Sequence, residues 1–213
     1  TKNAVKTPLN IAFVLDKSGS MSGEKIDFLK TAMKDFIKKL CPIDQISIIF
    51  FDTEAVIAYD KIGIDKSHLD DIIIALQASG GTNIYEGLKL GYEQVEKNKK
   101  NNSVDRVILL TDGYGSKPVD FILEQSEKYF KQGIAVSTIG VGNGYNQTLL
   151  SLISKYSGGL DHQVIASEGI STALDKEFES LLYPLASDLT VQVRYNNKLI
   201  YKTLYGVPEF KNS

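Results

Sequence analysis

The chain has one cysteine, no tryptophan, five prolines and two histidines among 213 residues. A lone Cys41 cannot close an internal disulfide, which excludes the small secreted scaffold held by several bridges. Lysine and arginine number 24 against 26 acidic residues, a formal charge of −2, so no global basic field exists to draw in nucleic acid or anionic lipid. The one short basic run, Lys97-Asn98-Lys99-Lys100, is followed by Asn101-Asn102 and reads as a solvated loop. No apolar run reaches the length of a membrane span, and direct membrane insertion by this segment is not expected. Thr1-Lys2-Asn3 is not the opening of a signal peptide, and a first residue that is threonine reads as a processed or excised segment.

What is present is a foldable composition, 43% apolar and 23% charged, outside the disordered class. Two periodicities alternate along it. Asn10 to Leu15, Ile46 to Phe51, Val104 to Leu110 and Ile134 to Ile139 are continuous apolar runs, suited to strands buried on both faces. Ala55 to Tyr59 reads as a shorter edge strand and His162 to Ile165 as a short one. Between them lie helical stripes: Phe28 to Leu40, a helix opening at Ser67 as its N-cap, Ile84 to Glu96, Val119 to Lys131, Thr148 to Tyr156 and Ile170 to Leu182. Gly133 closes the fourth of these as a C-terminal cap. This alternation predicts an α/β fold with a doubly wound, mostly parallel sheet and helices on both faces.

The ends depart from that pattern. Leu189 to Tyr195 and Lys198 to Leu204 alternate with period two around Asn196-Asn197, which predicts a C-terminal β-hairpin. The expected division is therefore an N-terminal extension over 1–8, an α/β domain over 9–184, and a hairpin over 185–213 belonging to a neighbouring β domain. The extension is a candidate strand of the same neighbour.

In a doubly wound sheet, ligands sit beyond the carboxyl ends of the strands, where the strand order reverses. The first strand runs into Asp16-Lys17-Ser18-Gly19-Ser20-Met21-Ser22, the third buried strand into Thr111-Asp112-Gly113, and a loop entering a helix reads Ser79-Gly80-Gly81-Thr82-Asn83. These segments offer carboxylates and hydroxyls with no histidine or thiolate, the oxygen donor set that hard divalent cations select.

On these residues the sequence resembles a von Willebrand factor type A domain, from about Leu9 to Leu182. That family's metal-ion-dependent adhesion site has the pattern Asp-x-Ser-x-Ser, a distant Thr, and an Asp in a Thr-Asp-Gly context. Asp16, Ser18, Ser20, Thr82 and Asp112 match it position by position. The flanking strings Val-Leu-Asp-Lys-Ser-Gly-Ser-Met, Gly-Gly-Thr-Asn-Ile, Leu-Leu-Thr-Asp-Gly and Thr-Ile-Gly-Val-Gly are similar to bacterial exported members in particular. The resemblance implies a divalent cation, Mg²⁺ foremost with Mn²⁺ or Ca²⁺ as alternatives. Ser18, Ser20 and Thr82 would bind it through hydroxyls, and Asp16 and Asp112 directly or through water. It further implies a non-enzymatic, adhesion-type module that captures a Glu or Asp side chain of a protein partner, or serves as a structural or regulatory unit of a larger exported protein. The partner could be its own neighbouring β domain. An extracellular, periplasmic or cell-surface location follows from the same likeness, as does a ligand-linked shift of the last helix. Lys17, Asn83, Tyr114 and Tyr145 are expected on the rim, with Lys17 adding positive potential towards an acidic partner.

Other readings account for less. Helix capping before Glu24 explains Ser22 but leaves Thr82 and Asp112 aside, while Thr82 alone could cap its own helix. Gly19 to Lys25 has the wrong glycine spacing for a phosphate loop, and Gly140-Val-Gly142-Asn-Gly144 lacks the third glycine of a dinucleotide fingerprint. No Gly-x-Ser-x-Gly elbow is present, His68 and His162 fall away from the three loops, and a metal-dependent enzyme is the least favoured class. Cys41 is expected as a buried small hydrophobe.

Overall fold

A computed structural model describes residues 7–62, 64–113 and 119–182. The extension up to residue 6, Tyr114 and the C-terminal hairpin therefore lie outside the described residues.

The elements run β1 (Leu9–Asp16), α1 (Glu24–Lys39), β2 (Gln45–Phe51), β3 (Ala55–Ile62), α2 (Lys66–Ala75), α3 (Ile84–Asn98), β4 (Val104–Thr111), α4 (Val119–Phe130), β5 (Ala135–Val141), α5 (Gln147–Ser157), β6 (Asp161–Val164) and α6 (Gly169–Leu182). They form one sheet in the order β3-β2-β1-β4-β5-β6. All neighbours are parallel except β2 and β3, which pair antiparallel. The chain starts in the middle, winds outwards through β2 and β3, and returns to place β4 on the other side of β1. The strand order reverses between β1 and β4, where Leu15 faces Leu110.

Both faces of the sheet are covered, which is why β1 and β2 are mostly apolar and are buried along their whole lengths. Odd residues of β1 (Leu9, Ile11, Phe13, Leu15) join the core under α1, α2 and α6. Even residues (Ala12, Val14) join the core under α3, α4 and α5. On the first side Phe36 of α1 meets Phe13 edge-on at 4.9 Å and Phe178 of α6 at 5.3 Å. On the second, α3 lies close to the sheet because Gly91 presents no side chain; a Cβ there would fall 2.5 Å from Val14 Cγ2.

One buried polar cluster fastens α6. Glu177 is fully buried and accepts a 2.7 Å hydrogen bond from Ser137 Oγ of β5. Its other oxygen lies 3.1 Å from His162 Nε2 of β6, and Arg106 Nε of β4 is 3.6 Å from the first. Burial pulls the Arg106 guanidinium below its ordinary pKa, and the charge of Glu177 opposes that fall. His162 is thus a structural residue.

Local details correct three expectations. Asp65, not Ser67, caps α2, accepting from His68 N at 3.1 Å, because its carboxylate stands one residue before the first helical turn. Asn83, not Thr82, caps α3. Cys41 is only partly buried, since α1 ends before it and its N–H turns back to Asp44 Oδ2 at 2.8 Å. Among the described residues no helix is long and apolar enough to cross a membrane.

Candidate metal centre

Asp16 ends β1, and Asp112 follows the last residue of β4, so the sheet's switch point delivers two carboxylates side by side. Both are almost wholly buried. Asp16 Oδ1 accepts from Ser18 N at 2.7 Å, and its Oδ2 accepts from Thr111 Oγ1 at 2.5 Å. Burial pushes the Asp16 carboxyl above its ordinary pKa; bonds from Ser18 and Thr111 pull it down, and the charge of Asp112 adds to the rise.

After β1 the chain makes a short 3-10 turn, Gly19–Met21, which sends Ser18 and Ser20 to the same side. Their hydroxyl oxygens are 3.1 Å apart, and Ser20 Oγ donates to Asp112 Oδ1 at 2.7 Å. The capping alternative fails here. Gly23 occupies the N-cap of α1 with no side-chain hydrogen bond, and neither Ser18 nor Ser22 caps a turn with its hydroxyl.

A third loop closes against these two. Ser79 N donates to Lys17 O at 2.7 Å, Gly19 N to Gly80 O at 3.1 Å, and Asn83 N to Asp52 O at 2.6 Å. Gly80 takes φ +74°, and a Cβ there would meet Asp52 at 3.0 Å, so the turn requires glycine. The loop sets Thr82 against the residue after Asp112: a Cβ on Gly113 would lie 3.0 Å from Thr82 Oγ1. All five residues singled out by the sequence therefore come to one place. Among the described residues no group of three His, Cys, Asp or Glu side chains could hold a metal ion. The five residues offer two carboxylates and three hydroxyls.

This architecture is matched by a family model: the von Willebrand factor type A domain model covers residues 10–175. The chain belongs to that family.

The domain is 30% identical over 193 residues to the protein YfbK of Escherichia coli, covering 88% of this chain and 34% of that protein. It is 34% identical over 172 residues to sll0103 of Synechocystis, covering 78% and 40%. It thus spans well under half the length of these two relatives. Among solved structures, proximal thread matrix protein 1 from the mussel byssus, determined with a zinc-occupied MIDAS motif, shares the fold. That likeness has a TM-score of 0.69 at 20% identity and covers 80% of this chain and 47% of the other.

Of the residues expected on the rim of this von Willebrand A domain, Lys17, Asn83 and Tyr145 lie among the described residues, and each makes contacts of its own within the domain. Lys17 does not present free positive charge, because its ammonium pairs with Asp52 and lies 3.3 Å from Ser79 Oγ. Burial pushes the Asp52 carboxyl up, but Lys17 and backbone N–H groups outweigh it, and the net shift is downwards. Asn83 is committed to the cap of α3 and donates to Thr53 O at 3.3 Å. The Tyr145 ring covers Gly140, where a Cβ would fall 2.3 Å from it.

Lys25 is the residue that sequence reasoning missed. Its ammonium contacts Asp112 Oδ2 and lies 3.2 Å from Ser20 O. One signal could have found it. A lysine in the first turn of a helix opposes the helix dipole, so it calls for a nearby anion.

Proposed function

We propose that the domain holds a divalent cation on Asp16, Ser18, Ser20, Thr82 and Asp112, and through it captures a Glu or Asp side chain of a protein partner. The observation that carries this reading is the row of oxygens Ser18 Oγ, Ser20 Oγ and Asp112 Oδ1, spaced 3.1 and 2.7 Å. Adjacent donors around Mg²⁺, each at roughly 2.0–2.1 Å from the ion, stand about 3 Å apart. The row therefore has the spacing of neighbouring positions on one coordination sphere. Mg²⁺ is the cation we propose, with Mn²⁺ or Ca²⁺ as alternatives.

A bound cation supplies a positive centre that an incoming carboxylate can complete. The chain's own residues determine how strong that centre is. Hydroxyls carry no charge, and the Asp16 carboxylate is already engaged by Ser18 N and Thr111 Oγ1. Neutral donors and occupied carboxylates leave an ion with much of its attraction for an outside anion. Binding rather than turnover is the reading because neither histidine attends the site: His162 serves Glu177, and His68 packs against Tyr59 at 5.9 Å. We assign the domain to an extracellular, periplasmic or cell-surface protein on its family likeness, with a partner that is an acidic protein surface or its own neighbouring β domain.

The test is calorimetric titration of chelator-stripped protein with Mg²⁺, Mn²⁺ and Ca²⁺, beside Asp112→Ala. Saturable binding at one site, lost in the variant, supports the reading. Peptides bearing a Glu or Asp should then bind in the presence of the metal and be released by chelator. Absence of metal binding both by the wild type and by Lys25→Met, which removes the ammonium in contact with Asp112, would overturn it.

A further inference from the structure

The cation-binding reading leaves Lys25 unexplained. It is the second residue of α1, where the positive end of the helix dipole disfavours a cation, and the neighbouring Glu24 and Asp27 are the acidic residues that position favours. Nevertheless its ammonium sits on a carboxylate of the proposed metal site and near the backbone oxygen of a second site residue, Ser20. The Asp112 side chain has no exposed surface, while Lys25 retains a third of its own. Lys25 therefore reaches in from solvent to a buried charge, and its flexible four-carbon stem can also withdraw.

We infer that Lys25 is a tethered counter-ion: its ammonium neutralises Asp112 when the metal is absent and competes with the divalent cation for that carboxylate. This rests on the proposed metal site. The charge arithmetic gives the reason. Asp16 and Asp112 bring two negative charges into a buried place, and Asp16 has only neutral hydrogen-bond donors among its described contacts. With Lys25 in contact, the metal-free site retains one uncompensated negative charge rather than two, which limits the repulsion between the loops. When a divalent cation enters, two negative charges meet two positive ones, and the lysine becomes a surplus like charge at close range. Lys25 then weakens metal binding while keeping the metal-free loops assembled. A residue that merely buttressed Asp112 in the correct orientation would have the opposite effect on affinity.

Lys25→Met, which keeps the stem and removes the charge, separates these roles, with Lys25→Arg as the variant that keeps the charge. Calorimetric titration with Mg²⁺ and Mn²⁺ should show Lys25→Met binding about tenfold tighter or more, the scale expected when a close like charge is removed from a partly buried site. Lys25→Arg should stay nearer the wild type. In chelator, Lys25→Met should melt below the wild type, and added Mg²⁺ should raise its melting temperature by more than it raises the wild type's. Equal or weaker metal binding by Lys25→Met, with the wild type still binding, would overturn the inference and leave the metal site standing. If Lys25→Met alone binds metal, the lysine masks the site completely, which supports it. If no variant and no metal gives binding, the metal site falls and this inference falls with it.

Discussion

The Ser20 hydroxyl donates a 2.7 Å hydrogen bond to Asp112 Oδ1, joining two residues 92 positions apart in the chain. The contact welds the first loop to the last one at the point where the sheet changes direction. It also makes Ser20 the central oxygen of the row running from Ser18 to Asp112.

Ser20→Ala removes that oxygen, and with it one hydrogen bond to Asp112, while keeping both carboxylates in the chain. Metal affinity should fall by about tenfold or more, since a ligand should matter at least as much as the supporting groups around one. In chelator the variant should lie within about 1 kcal/mol of the wild type, because Asp112 keeps Lys25 as its partner. Calorimetry and a denaturant melt in chelator check the two halves. Unchanged metal affinity would remove Ser20 from the site.

Gly80→Ala should destabilise the fold by about 1–2 kcal/mol, the usual penalty for a left-handed backbone with a Cβ. The new methyl also meets Asp52 at 3.0 Å, so the ion pair between Lys17 and Asp52 must shift. Urea denaturation measures the loss. A variant as stable as the wild type would mean that the loop between α2 and α3 is not held in this turn.

Replacing both members of the pair, Lys17→Ala with Asp52→Asn, should leave the salt dependence of partner association unchanged, because the two charges already cancel one another. Stability should fall by under about 1 kcal/mol, as for a partly exposed pair. Stopped-flow association at low and high salt decides. A marked slowing at low salt alone would restore Lys17 as a steering residue.

Asp60 supplies an acid-side signature away from the site. Burial pushes its carboxyl up, but bonds from Lys97, Asn98 and Ser47 outweigh that and hold it below its ordinary value. A depressed carboxyl stabilises the fold above its unfolded value, and that contribution fades as pH falls through the lower folded value. The stability gap between wild type and Asp60→Asn should therefore be complete at neutral pH and narrow below about pH 4. Urea midpoints across pH 2.5 to 7, an interval chosen to span roughly the Asp range, follow it. A constant gap would show that packing, not charge, sets the difference.

How much of this could be read in the sequence depended on whether the controlling contact was local. Buried strands and amphipathic helices carry their periodicity in themselves, so β1, β2 and β4 end within a residue of their apolar runs. The von Willebrand A motif gathered Asp16, Ser18, Ser20, Thr82 and Asp112 because each lies beside a strand end or a glycine turn. Pairings across long stretches of chain left no such trace. Lys17 with Asp52 joins two neighbouring loops, and Lys25 with Asp112 joins the first turn of α1 to the loop after β4. Ser67 stands two residues beyond the cap of α2: Asp65 and Ser67 are both good capping residues, and only the backbone path chooses between them.

The grip of Glu177 on three strands determines how α6 can move. A slide of one turn would carry its carboxylate about 5.4 Å along the axis. Ser137, His162 and Arg106 would be left behind, with unmatched charge in the core. Glu177 is therefore the anchored point of α6, with Phe178 packed edge-on against Phe36 beside it.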